Sequence, residues 1–173
     1  WVLLSMVPIT YDGAACALST IVDITERKAM EDALRVAATT DALTGTASRR
    51  NFMDRSRVAV AQARRAAAGS AAAALSMVML DVDDFKLVND RYGHAAGDAV
   101  LRAVTATCMA RVRAGDLVGR LGGEEFGTLL PATALHEAEL LAEALRAAIA
   151  ATTVAVETVA SGMRPPTPAP VRV

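Results

Sequence analysis

The chain reads as an α+β protein, an α/β sandwich whose central, mainly antiparallel sheet is wrapped by helices and preceded by a helical linker. Three observations predict this. Apolar runs of strand length alternate with longer segments of helical periodicity along the 173 residues. The run LSMVMLDVDDF, 75–85, is the strongest strand in the sequence, and its unbroken apolar stretch predicts cover on both faces. LVGRL and FGTLLP, joined through GGEE, form a hairpin, with Gly122 and Gly123 expected to supply the positive φ of a tight turn.

The remaining elements follow in chain order. WVLLSMVPI and CALSTIVDI flank the turn-forming YDG and predict two strands that bury no core by themselves. ITERKAMEDALRVAATTDAL follows, with Thr25 a candidate N-cap and Ala29, Met30, Ala33, Leu34 and Ala37 at helical spacing, an amphipathic linker able to pair with another copy. A turn at Thr44 and Gly45 leads into a helix of about six turns ending at Gly69, its arginines a solvated face. NDRYGHAAGD is expected as a polar loop, with Asp98 capping the helix AVLRAVTATCMARV. ALHEAELLAEALRAAIAA is a helix by composition. The tail GMRPPTPAPVRV is proline-rich and irregular, and the domains are placed at 1–26, 27–40 and 41–173.

Composition narrows the function. With 18 Lys plus Arg against 19 Asp plus Glu, no basic stripe argues for nucleic acid, and 3% aromatics leave little to stack bases on. Cys16 and Cys108 stand far apart without metal-ligand spacing, as expected of small apolar residues in a reduced, cytoplasmic setting. No apolar run reaches the roughly 18 to 20 residues of a membrane helix, so no membrane contact is expected within this stretch. The opening on Trp1 and the stop on PVRV, at the start of a strand-like pattern, predict a piece of a longer chain at both ends.

The chemistry lies in the acids. Alternation along a strand sends Asp81 and Asp83 one way and Val82 the other, and Asp84 follows. Glu124 and Glu125 sit on the hairpin tip, and if the sheet sets the two strands side by side the carboxylates converge. Like charges there need a compensating cation, and oxygen-only ligands select a hard one such as Mg²⁺. Two solvated strand ends are the plainer alternative, which spacing alone slightly favours. Lys86 tips the balance, as a fixed cation where a phosphate on such a metal would lie.

DALTGTASRR, DVDDFKLVNDRYGHAAGD and GRLGGEEF, in that order, resemble the GGDEF family of diguanylate cyclases, with the signature in its GGEEF form. The resemblance implies a fold similar to the nucleotidyl cyclase palm and the condensation, in bacterial signalling, of two GTP into cyclic di-GMP and two pyrophosphates. It implies that Asp81, the Val82 carbonyl and Glu124 hold Mg²⁺ or Mn²⁺, and that Glu125 assists at the metal or the attacking hydroxyl. Asn89 and Asp98 match the guanine readers, while Lys86 and amides near Phe85 face the phosphates. Each domain holds one GTP, so a homodimer is implied. His94 and His136 receive no chemical step; Asn89 and Asp98 have plainer readings as loop-ordering and capping residues.

Arg113 and Asp116, in RAGD ahead of GGEEF, match the family's inhibitory site for the product cyclic di-GMP. IVDITERKAMEDALRVAATTDALTG resembles the last strands of a PAS sensor domain and the signalling helix after it. The chain departs from the family pattern at Thr46, where leucine is usual, and at Ser48, where asparagine is. It also stops before the family's TVSIGVA-like strand and AKxxGRN segment. The stretch alone is therefore expected to be poorly stable or inactive, and the complete gene product a working cyclase. A GGDEF-like module that binds GTP or cyclic di-GMP without turnover is the rival reading, and a PAS-linked dimerisation element a third.

Overall fold

The computed structural model describes residues 1–154, so the expectations for the proline-rich tail lie outside the described residues. The chain divides into two compact units, Trp1–Ala38 and the part that begins at Thr39.

In the first unit, β1 (Val2–Tyr11) and β2 (Ala14–Asp23) pair antiparallel from Val2 opposite Asp23 to Tyr11 opposite Ala14. Asp12 and Gly13 both take left-handed φ, 50° and 75°, which gives the two-residue turn whose twist matches the strands. Neither strand buries a residue, so the hairpin makes no core of its own. Helix α1 (Thr25–Thr39) follows. Its side-chain acceptor is Asp23, whose Oδ1 takes the Thr25 amide at 2.8 Å. Thr25 is thus the first helical residue and not the cap expected.

The second unit is the sandwich. Strands β3 (Leu75–Asp81), β4 (Leu117–Gly122) and β5 (Glu125–Pro131) form an antiparallel sheet in the order β3-β5-β4. Helix α2 (Arg49–Arg65) lies on one face, where Phe52, Ala47 and Leu129 are buried with Leu75, Leu117 and Leu121 around them. On the other face, Val82, Val118 and Phe126 pack with Val100, Leu101, Val104 and Cys108 of α4 (His94–Met109) and with Leu145 and Ile149 of α5 (Leu135–Ala150). Burying these side chains on both sides of one sheet drives the three-layer arrangement of helix, sheet and helices.

Three expectations are corrected. Helix α2 ends at Arg65, short of six turns, because Ala66 turns extended and the chain bends back through Gly69 (φ 81°) to begin β3. Strand β3 is not covered on both faces. Met77 and Met79 remain 52% and 55% exposed, since cover on their side is concentrated where Phe52 lies over β4 and β5. NDRYGHAAGD is not a loop: α3 (Phe85–Tyr92) and α4 meet at Gly93, whose φ of 84° reverses the chain in one residue. Asp98 therefore lies inside α4 and caps nothing.

Two glycines shape the sheet. Gly119 and Gly127 face each other across β4 and β5, and the Phe52 ring rests on both. A Cβ would meet Phe52 Cδ2 at 2.7 Å from Gly119 and Phe52 Cζ at 2.8 Å from Gly127.

Candidate active site

The sheet register brings the acids to one end. Asp81, the last residue of β3, pairs directly with Glu125, the first of β5, and Glu125 pairs on its other side with Gly122. Directly opposed residues project on the same face with Cβ atoms roughly 5 Å apart. Only Gly123 and Glu124 lie between β4 and β5. Gly123 takes positive φ, 23°, whereas Gly122 does not and ends β4 as a strand residue. One glycine, not two, makes the turn.

Val82 is 1% exposed with its side chain in the core, while Asp81 and Asp83 on either side are exposed. The alternation thus anchors the strand end by its apolar residue and leaves a main-chain carbonyl between two carboxylates. Glu124 is half-buried and Glu125 exposed. Among the described residues, no hydrogen bond or ion pair engages the side chains of Asp81, Glu124 or Glu125. No trio of carboxylate, histidine or cysteine side chains surrounds a common point among those residues, so the side chains alone make no closed cage. Uncompensated carboxylates at this sheet end, beside the Val82 carbonyl, fit a hard cation that keeps waters and bridges to phosphates.

Helix α3 starts immediately beyond. Asp84 precedes it in the left-handed region (φ 53°), and the first i to i−4 bond runs from Val88 N to Asp84 O at 3.1 Å. The amides of Phe85, Lys86 and Leu87 therefore have no intrahelical acceptor, an arrangement suited to anions. Lys86 is exposed in this first turn. Asn89 lies one turn on, against α4. A Cβ on Gly97 would collide with Asn89 Oδ1 and come within 3.1 Å of Phe85 Cζ, so Gly97 lets α3 close onto the turn of α4 that carries Asp98. Asn89 and Asp98 are both half-buried.

Arg113 and Asp116 form a separate constellation. The Asp116 carboxylate accepts from Arg113 N at 2.8 Å and lies 3.6 Å from Arg113 Nε, with its side chain 3% exposed against 67% for the arginine. The guanidinium also donates to Thr133 Oγ1 at 2.6 Å. This pair sits where β4 begins and β5 has ended, opposite the Gly123–Glu124 tip, roughly 20 Å away at the rise of a six-residue strand.

Sequence reading missed the residues that hold the tip. Arg120 donates from Nε and a terminal nitrogen to Gly123 O at 2.9 and 2.7 Å, and from its other nitrogen to Asp41 Oδ1 at 3.4 Å. The same Asp41 oxygen takes Thr44 N at 2.9 Å and Thr44 Oγ1 at 2.7 Å. Partial burial works against ionisation of Asp41, but the Thr44 bonds and the Arg120 charge outweigh it and hold the carboxyl below its ordinary value. Arg49 donates to Leu121 O at 3.0 Å. Thr46 and Ser48, the departures from the family pattern, are both engaged: Thr46 Oγ1 lies 2.9 Å from Thr44 Oγ1, and Ser48 Oγ accepts from Asn51 N to cap α2.

The model of the diguanylate cyclase GGDEF domain matches residues 38–163, which include all of these positions. The chain belongs to the GGDEF family. It is 41% identical over 143 residues to diguanylate cyclase DgcM of Escherichia coli K12, which is 83% of this chain and 34% of that protein. Diguanylate cyclase DgcP of Pseudomonas aeruginosa is 44% identical over 117 residues, 68% of this chain and 17% of DgcP. The chain thus spans about a third of the one and about a sixth of the other. Among solved structures, the coiled coil and GGDEF domain of Caulobacter crescentus DgcB in complex with c-di-GMP is similar at TM-score 0.71 and 27% identity, over 79% of this chain and 69% of that one. Diguanylate cyclase SiaD of Pseudomonas aeruginosa, in complex with its activator SiaC, follows at TM-score 0.64 and 38% identity, over 77% and 50%. Helices on an antiparallel sheet are the shared architecture, as expected.

Proposed function

We propose that this GGDEF domain is the catalytic part of a diguanylate cyclase that condenses two GTP into cyclic di-GMP across a homodimer. The observation that carries the reading is the strand register, which sets Asp81 opposite Glu125 with Glu124 next to it in a two-residue loop. Asp81, the Val82 carbonyl and Glu124 would hold Mg²⁺ or Mn²⁺. When bound, such an ion lowers the pKa of the attacking ribose 3′-hydroxyl and neutralises charge at the phosphates.

The chain's own groups do the rest. Lys86 and the free amides of Phe85–Leu87 grip the phosphates, and Asn89 with Asp98 complements the guanine edge by hydrogen bonds. Glu125 orients the hydroxyl and takes its proton. In each half-reaction a 3′-oxygen-to-α-phosphorus bond forms, the α–β bridge breaks, and pyrophosphate leaves. Each domain contributes one bound GTP, so two domains must face each other and an unpaired monomer should be nearly inactive. The hairpin and α1 serve as the PAS-derived input and signalling helix that set this pairing. Arg113 and Asp116 take cyclic di-GMP as feedback inhibitor, supported by an exposed guanidinium already oriented beside a fixed carboxylate. A cytoplasmic setting suits GTP as substrate, and no helix among the described residues is long and apolar enough to cross a membrane.

The test is incubation of the intact protein with GTP and Mg²⁺ and chromatographic resolution of the products. Cyclic di-GMP should form, and Asp81→Asn or Glu124→Gln should reduce turnover at least about a hundredfold with GTP still bound. Nucleotide binding without any cyclic dinucleotide from the unaltered dimer would replace the enzyme with a binding module.

A further inference from the structure

The tip that carries Glu124 lies beyond the regular ladder. Strands β4 and β5 pair in register from Leu117 opposite Leu129 to Arg120 opposite Phe126, then shift so that Gly122 faces Glu125. A bulge of this kind leaves a residue out of the ladder and bends its strand. Leu121 is that residue, and its carbonyl is taken by Arg49 of α2. The next carbonyl but one, Gly123, directly before Glu124, is taken by two nitrogens of Arg120. Two guanidinium groups thus grip the carbonyls on either side of Gly122.

Arg120 does not float in solvent. Its side chain is 18% exposed, and its third contact is Asp41, 79 residues earlier and 24% exposed. Asp41 is fixed in turn, since Thr44 donates twice to its carboxylate, Asp41 N donates to Thr46 O at 2.8 Å, and Gly45 N donates to Asp41 O at 2.9 Å. The 40–47 turn is itself tied to the sheet, with Ala47 N on Val118 O and Arg120 N on Ala47 O, both at 3.0 Å. A fork of donors in fixed geometry suits this task, because a lysine in place of Arg120 cannot hold Gly123 O and Asp41 together.

We infer that Arg120, anchored by Asp41, is a positioning residue that fixes the Gly123–Glu124 tip so that Glu124 meets a metal-bound nucleotide without reorganisation. The inference rests on the reading of Glu124 as a metal ligand. It differs in kind from a fold-stabilising role, because losing the clamp loosens one ligand while both cores stay packed.

The experiment uses the intact protein with Mn²⁺ and a GTP analogue that has a methylene bridge between the α- and β-phosphates and cannot be cyclised. Free Mn²⁺ is followed by electron paramagnetic resonance. Arg120→Gln should raise the half-saturating Mn²⁺ about tenfold or more, Arg120→Lys should fall between it and the parent, and Asp41→Asn should shift it in the same direction. With GTP, kcat should fall while KM stays close to the parent value, since the guanine readers lie on α3 and α4. Arg57→Ala, which removes an exposed pair with Asp54 on α2, should leave the Mn²⁺ titration unmoved. If Arg120→Gln does not fold, the lysine and Asp41→Asn variants decide. A lowered thermal midpoint with unchanged Mn²⁺ affinity and unchanged kcat overturns the inference. So does a parent protein that fails to bind Mn²⁺ with the analogue. A parent that binds Mn²⁺ but makes no cyclic di-GMP overturns the cyclase reading alone and leaves the clamp to be judged by its titration.

Discussion

Replacing Gly127 by alanine tests whether the Phe52 ring really rests on a shelf of two glycines. The added methyl would lie 2.8 Å from Phe52 Cζ and 3.1 Å from both Phe52 Cε1 and Leu121 Cδ1. Carbon atoms prefer about 3.5–4.0 Å, so the ring must withdraw by roughly 1 Å. Phe52 is 1% exposed, with its own helix α2 above it and both glycines beneath, so it has little room to do so. Overpacking a core of this kind costs about 1–3 kcal/mol, and relieving a strand glycine returns about 0.5–1 kcal/mol. The net loss is about 0–2.5 kcal/mol, centred on about 1 kcal/mol, which lowers the midpoint of thermal unfolding by about 2–8 °C in a domain of this size. The assay is thermal and urea unfolding of the parent, Gly127→Ala, Phe52→Leu and the double variant. The smaller side chain should accept the methyl, so the double variant should be more stable than the two single losses predict, by at least about 0.5 kcal/mol. A Gly127→Ala protein clearly more stable than its parent, or strict additivity of the two changes, refutes the packing argument.

Two further expectations concern ionisable groups. Because the folded Asp41 carboxyl titrates below its ordinary value of 3.8, its pairing contributes stability above that pH, about 1 kcal/mol or less with solvent still reaching the pair, and loses it as pH falls through the lower folded value. The stability gap between the parent and Asp41→Asn should therefore be widest near neutral pH and close below about pH 4; urea midpoints across that range check it, and a gap that persists in acid contradicts it. Burial pushes the Cys108 thiol up to about 11, while Cys16 is exposed on β2. Ellman's reagent should find one thiol in the native protein and the second only on unfolding, and two fast equivalents would contradict the packing of α4.

Much of the sheet was legible in the sequence because its cues are local. Asp12–Gly13 carries the chemistry of a two-residue hairpin, and the alternation in DVDD announces which residue turns inward. The acids at the sheet end were legible for the same reason, once the two apolar runs were allowed to be neighbours. What escaped depended on distant partners. The cover of β3 follows from where α2 crosses the sheet, which no period within LSMVMLDVDDF encodes. The joint at Gly93 has the sequence of a loop, because glycine and polar residues are common in both loops and helix junctions. Arg120 and Asp41 are far apart in sequence and individually ordinary, so only the folded sheet makes them a pair. Gly119 and Gly127 stand inside the predicted strands LVGRL and FGTLLP, where no local cue announces the aromatic ring that rests on both.

The pairing of Asp81 with Glu125 also limits how such a site can vary over time. Side-chain direction in a strand alternates with every residue, so one residue gained or lost within β5 would send Phe126 out of its core and turn Glu125 to the opposite face. One residue gained in the Gly123–Glu124 loop would keep the strands but break the grip of Arg120 on the carbonyl before Glu124. Exchange of one carboxylate for another, as in the GGEEF form, disturbs neither. Variation at this tip is thus free in side-chain length and closed to changes in chain length.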